Sequence, residues 1–142
     1  MAVRTPRSRW KPMPPASELL RAAQDARKHA YAPYSKHTVG AALLTEGGEI
    51  VTGANVENAS YPVGMCAERT ALYTAVAQGH RSFQAIAIAG PEKAISPCGA
   101  CRQALSEFGD GIRIIREGYD DVTLRELLPD AFGPRNLART GV

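Results

Sequence analysis

Apolar positions recur with two different periods along this chain, and the points where the period changes predict its elements. Behind Ser17, which suits a helix N-cap, Leu19, Ala22/Ala23, Ala26 and Ala30 recur at helical spacing and predict a helix over 17–30. Ala32-Pro33-Tyr34-Ser35 breaks it. Residues 38–44 (TVGAALL) and 49–54 (EIVTGA) read as strands, with Thr45-Glu46-Gly47-Gly48 as the hairpin turn between them. The polar, Gly- and Pro-punctuated stretch 55–65 reads as a loop. Over 66–78, Ala67, Ala71 and Ala75 fall at four-residue steps and Gly79 follows, predicting a helix with its C-terminal glycine. Residues 83–89 (FQAIAIA) read as a buried strand, and 90–97 as a loop. Residues 98–108 predict a helix with an inner stripe of Cys101, Ala104, Leu105 and Phe108, stopped by Gly109. Residues 112–116 (IRIIR) read as another strand, and Thr123-x-x-Glu126 as a capping box opening a short helix that ends at Pro129. A hairpin followed by strands alternating with helices predicts an α/β fold, a mixed sheet with helices packed on its faces.

Length and charge narrow the picture. The 142 residues suit one domain with a real core. No apolar run approaches the roughly 18–20 residues of a membrane span, and the N-terminus lacks the apolar centre of a secretory signal. A cytoplasmic protein with no membrane partner is the expectation. The net charge of +3 misleads, because Arg4, Arg7, Arg9 and Lys11 sit in a stretch without acids, and the rest carries 13 basic and 14 acidic side chains. Pro6, Pro12, Pro14 and Pro15 keep that stretch from being helical. Residues 1–16 are expected to be a disordered, solubilising leader, and 17–142 the catalytic domain. The sharper reading of the leader is a nucleic-acid-binding arm. Trp10 is its only aromatic residue and the body is near neutral, so no nucleic-acid partner is expected.

Three cysteines cannot all pair within one chain, which favours free or metal-bound thiols in a reducing compartment. Cys66 opens one predicted helix. Pro97-Cys98-Gly99-Ala100-Cys101 opens the next, and its C-x-x-C spacing lets two sulfurs converge on one ion. Two helix N-termini aimed at one place favour thiolate. Three thiolates suit zinc and leave one tetrahedral position for water, whose pKa zinc brings near about 7. Glu68, two residues after Cys66, suits a general acid/base beside the metal better than a fourth ligand. Zinc with three thiolates carries excess negative charge, which Arg69 on the same helix can offset by donating to sulfur. Two blander readings stay open at this level. The cysteines can be unrelated core residues, or can form a closed structural site with His29, His37 or His80 as fourth ligand.

These motifs resemble the zinc-dependent cytidine deaminases, in particular the small homotetrameric three-cysteine type acting on free nucleosides. The likeness runs from about Ala30 to Leu137 through AYAPYS (30–35), VGAALL (39–44), NVENASY (55–61), CAER (66–69), PCGACRQ (97–103), ELLP (126–129) and FGP (132–134). It implies a three-layer α/β/α fold around a mixed five-stranded sheet. It implies hydrolysis of cytidine and deoxycytidine to the uridines with release of ammonia, in pyrimidine salvage. By position, Cys66, Cys98 and Cys101 would bind zinc, and Glu68 would carry protons from water to N3 and to the departing amine. Asn55 and Glu57 would bind the ribose 3′-hydroxyl, the Ala67 N–H the pyrimidine O2, and the Pro97 carbonyl the exocyclic amine. Tyr61 and Phe132 match positions that reach into neighbouring subunits of a homotetramer with shared active sites.

Two departures stand out. His37 replaces the phenylalanine that packs on the base in the family, which motivates an alternative substrate, a modified aminopyrimidine nucleoside such as a nucleoside antibiotic. The connection 118–122 is short for the family's last hairpin, so the fifth strand is expected to be very short or absent.

Overall fold

The computed structural model describes residues 12–93 and 95–137; the four basic residues of the expected leader lie outside them. Five strands, β1 (Gly40–Thr45), β2 (Ile50–Ala54), β3 (Phe83–Ala89), β4 (Arg113–Arg116) and β5 (Val122–Thr123), form one sheet in the order β2-β1-β3-β4-β5. β1 runs antiparallel to both β2 and β3, β3 and β4 are parallel, and β5 returns antiparallel. The sheet is therefore mixed, and its last strand is only two residues long. The helices are α1 (Ala16–Arg27), α2 (Ala67–Ala77), α3 (Gly99–Ser106), α4 (Leu124–Leu127) and α5 (Pro134–Leu137).

The side-chain period of two in a strand sorts the layers. Ala41 and Leu43 of β1, Ile86 and Ile88 of β3 and Ile114 of β4 face α2 and Leu105 of α3. Ala42, Leu44, Ala85, Ala87 and Ile115 face α1 through Leu19 and Ala23. Small residues on the α1 face let that helix sit close. A Cβ on Gly40 would lie 2.0 Å from the Ala23 carbonyl. On the other face, a Cβ on Gly53 would lie 2.4 Å from the Ala71 nitrogen and 2.7 Å from the Ala67 carbonyl. Glycine is thus required where each helix crosses the sheet.

α1 differs from the expectation at both ends. It starts at Ala16 with Pro15, not Ser17, at the N-cap, since the fixed φ of proline suits a helix entrance. It stops at Arg27 because the chain is drawn into a bridge with the loop after β2: the Tyr31 N–H donates to the Asn55 carbonyl at 2.9 Å, and the Glu57 N–H to the Tyr31 carbonyl at 2.8 Å. These tertiary bonds outweigh local helix propensity. Met13, within the expected leader, packs against the α1-side core. α4 begins as the capping box predicts, with the Thr123 N–H donating to Glu126 at 3.1 Å.

Candidate active site

Cys66 and Cys98 are the N-cap residues of α2 and α3, and neither side chain caps its own helix. Cysteine is not a favoured N-cap residue, so the sulfurs are free for another use. They face each other at 3.8 Å, and Cys98 lies 3.5 Å from Cys101, one turn into α3. All three sulfurs lie within 4.8 Å of one another, with Cys101 buried. A tetrahedral zinc with bonds of about 2.3 Å needs sulfurs about 3.8 Å apart. The set fits that ion.

The charges around the cluster are matched to it. The neighbouring Cys101 thiol, with Arg69 and Cys98, draws the Cys66 pKa down to about 5. Cys101 is pushed up, first by the Cys66 thiolate and then by burial. The pair behaves as one site in which Cys66 releases the first proton. Arg69 Nη2 donates to Cys66 Sγ at 3.5 Å, and that contact raises the guanidinium pKa further. Glu68 is buried at 4 % exposure, and burial raises its pKa. A carboxyl held toward its neutral form beside the three sulfurs is suited to shuttling protons.

The other end of the site is built from loops. The Tyr34 and Ser35 N–H groups donate to Glu57 Oε1 at 3.0 and 3.1 Å, and the Ser35 hydroxyl donates to Glu57 Oε2. The Ser35 side-chain and backbone bonds hold the Glu57 carboxyl below the usual range. Asn55 Oδ1 accepts from the Val39 N–H at 2.8 Å, and its Nδ2 donates to the His37 carbonyl at 2.9 Å. Asn55 and Glu57 thus carry a second job beyond any ligand: they hold the 31–39 segment. His37 is exposed on that segment, and Tyr34 and Tyr61 pair their rings 6.1 Å apart. Tyr61 and Phe132 are 76 % and 62 % exposed. Ala67 is fully buried at the first turn of α2. Among the described residues, none of the three candidate fourth ligands, His29, His37 and His80, belongs to the metal-capable cluster.

Residues 13–116 match the family model of the cytidine and deoxycytidylate deaminase zinc-binding region. The chain belongs to that deaminase family. It is 45 % identical over 127 residues to the cytidine deaminase of Sporosarcina psychrophila, spanning 85 % of this chain and 93 % of that one. Against the cytidine deaminase of Mycobacterium tuberculosis (strain CDC 1551 / Oshkosh) the identity is 42 % over 118 residues, with 82 % and 89 % spanned. A crystal structure of the cytidine deaminase from Burkholderia pseudomallei superposes with a TM-score of 0.78 at 48 % identity, covering 82 % of this chain and 98 % of that one. Zinc is accordingly the cofactor of this deaminase, and the three-sulfur cluster offers it a place.

Three further residues of the deaminase, Arg102, Gln103 and Ser35, support its site and are not singled out by the sequence motifs. Arg102 Nε donates to the Pro97 carbonyl at 2.8 Å and its Nη1 to the Leu127 carbonyl at 2.9 Å, tying the turn before Cys98 to the end of α4. The Pro97 carbonyl therefore already accepts one protein hydrogen bond. Gln103 Nε2 donates to the Phe132 carbonyl at 2.9 Å. The available signal was spacing: Arg102 is four residues after Cys98, directly over that turn of α3. Ser35 is the third, linking Glu57 to the His37 N–H at 3.0 Å.

Proposed function

We propose that this chain is a zinc-dependent cytidine deaminase, converting cytidine and deoxycytidine to uridine and deoxyuridine with release of ammonia. The observation that carries this reading is the convergence of three sulfurs at two helix N-termini beside one buried carboxyl, Glu68. The deaminase relatives at 42–45 % identity support the substrate class.

Cys66, Cys98 and Cys101 hold the ion, and Arg69 offsets the excess negative charge of their thiolates. Zinc, when bound, supplies a water activated for attack at neutral pH. Glu68 takes a proton from the attacking water and delivers it to N3 of the base, so that the oxygen bonds to C4. It then takes the second proton from the new C4 hydroxyl and passes it to the amino group; the C4–N bond breaks, ammonia leaves, and the oxygen remains as the C4 carbonyl. Its burial excludes competing water from that transfer. The Ala67 N–H receives the pyrimidine O2, and the Pro97 carbonyl, with its second lone pair, the exocyclic amine. Asn55 and Glu57 bind the ribose 3′-hydroxyl, and His37 packs on the base.

The chain works as a homotetramer with shared sites. What supports this is the exposure of Tyr31, Tyr34, Val56, Tyr61 and Val63 on neighbouring loops, together with exposed Phe132. The catalytic domain extends back to Met13, a reading supported by the packing of Met13 against the α1-side core and by the start of α1 at Ala16, and it works in the cytoplasm, in pyrimidine salvage. Among the described residues no helix is long and apolar enough to cross a membrane.

The test is direct. Purified protein should carry about one zinc per chain by elemental analysis and should convert cytidine and deoxycytidine to the uridines. Zinc-loaded, folded protein that turns over neither nucleoside overturns the reading.

A further inference from the structure

The 31–39 segment contains a strained residue held at both sides. Lys36 has φ +61, a left-handed conformation that non-glycine residues seldom adopt outside turns. Its N–H donates to the Ala32 carbonyl at 3.0 Å, closing a turn just before His37. Ser35 precedes it, and every polar group that Ser35 presents toward the site is engaged. Its N–H and hydroxyl both go to Glu57, one to each oxygen, and its Oγ accepts the His37 N–H. One serine therefore fixes two things at once: the rotation of the Glu57 carboxylate and the backbone direction from which His37 projects. A carboxylate has about four lone-pair positions. Three are taken by Tyr34 and Ser35. The remaining capacity of this half-buried, loop-borne carboxylate then points one way instead of turning freely.

We propose that Ser35 is a positioning residue for nucleoside recognition, setting Glu57 toward the sugar and His37 toward the base through its single hydroxyl. This rests on the reading of Glu57 as the ribose-binding carboxylate. Ser35 does not touch the reacting atoms, so its loss acts on KM and leaves kcat. The Ser35 hydroxyl and N–H also favour the ionised form of Glu57, which is the form that accepts from a sugar hydroxyl.

The test pairs protein variants with substrate analogues in the zinc-loaded enzyme. In wild type, KM for 3′-deoxycytidine should exceed KM for cytidine, because the sugar hydroxyl is missing. In Ser35→Ala, KM for cytidine should rise about tenfold, the scale of one hydrogen bond to a charged group, while KM for 3′-deoxycytidine, which feels only the base-side loss through His37, rises clearly less. Ser35→Thr keeps the hydroxyl and should restore most of the discrimination. If Ser35→Ala does not fold, Ser35→Cys, whose thiol is a weak donor, should show the same selective loss. A general loosening of the loop would raise both KM values alike, and that result overturns the proposal. Glu57→Gln separates the two levels. If Glu57→Gln loses discrimination while Ser35→Ala and Ser35→Cys keep it, the role of Ser35 falls and the sugar reading stands. If Glu57→Gln itself keeps wild-type discrimination, the sugar reading falls and the proposal with it.

Discussion

At the metal end of the site, functional side chains stand on helices pinned to the core: Ala67, Ala71 and Leu72 of α2 are fully buried, and Glu68 is buried among them. At the end proposed to hold the sugar, called the sugar end below, Ser35 and His37 are exposed, and their segment is tied to residues 55–57 by hydrogen bonds. The first arrangement takes its precision from close packing, in which shifts of a few tenths of an ångström are resisted on all sides. The second takes it from a polar ladder in which each bond is individually weak. Damage at the metal end should therefore appear in kcat and zinc retention, and damage at the sugar end in KM.

The largest effect should come from Glu68→Gln, which keeps shape and hydrogen bonding but cannot move a proton. kcat should fall about 10²–10⁴-fold, with zinc content unchanged by elemental analysis. A variant with wild-type kcat would remove Glu68 from the chemistry and reduce the metal end to a structural centre.

Next in size are the two glycines where helices cross the sheet. Gly53→Ala places a Cβ 2.4 Å from the Ala71 nitrogen, and Gly40→Ala places one 2.0 Å from the Ala23 carbonyl. Each should cost about 1–3 kcal/mol or more by overpacking, read by urea unfolding. Their functional consequences should diverge. Gly53→Ala shifts the helix that carries Cys66 and Glu68, so kcat and zinc affinity both fall. Gly40→Ala shifts α1, which leads into the 31–39 segment, so its folded fraction keeps kcat and loses KM. Identical kinetic damage from both would erase the distinction between the two ends.

Asn55→Ala removes two bonds of the ladder together with the proposed contact to the ribose. It strips the Val39 N–H and the His37 carbonyl of their partners at 2.8 and 2.9 Å. About 1 kcal/mol of stability should be lost, with KM raised, kcat kept and zinc still bound. Steady-state kinetics beside metal analysis check it.

The metal end was far more legible in the sequence than the sugar end, for a physical reason. C-x-x-C, C-x-E and the alanine steps are local patterns, and a helix converts sequence spacing into direction without further information. The apolar run FQAIAIA likewise marked β3 as a buried strand, and both of its faces are covered, Ile86 and Ile88 on one side and Ala85 and Ala87 on the other. The end of α1 was not legible, because it is decided by hydrogen bonds to residues more than twenty positions away. The close approaches at Gly40 and Gly53 were hidden for the same reason. Asn55 and Glu57 were legible as polar loop residues, but their bonds to the 31–39 segment depend on bringing two loops together. The motif itself left open whether three cysteines close a structural site; their convergence beside Glu68, without His29, His37 or His80 in the cluster, favours the open one.

The smallest predicted effect concerns the cost of keeping Glu68 in place. Burial raises its folded pKa above the usual 4.5. In the metal-free protein the native state therefore holds the Glu68 proton more tightly than the unfolded chain does. Stability from this group is present at low pH and is lost as pH rises through the window between the unfolded and the folded pKa. Glu68→Gln has no such loss. Chelator-treated Glu68→Gln should thus melt above chelator-treated wild type at pH 7, by roughly 2–4 °C, and the gap should close toward pH 4. A gap that is equal at both pH values would mean that Glu68 is not strained by burial. The metal end would then owe its proton chemistry to position alone, and the contrast with the loop-borne Glu57 would rest on packing and not on charge.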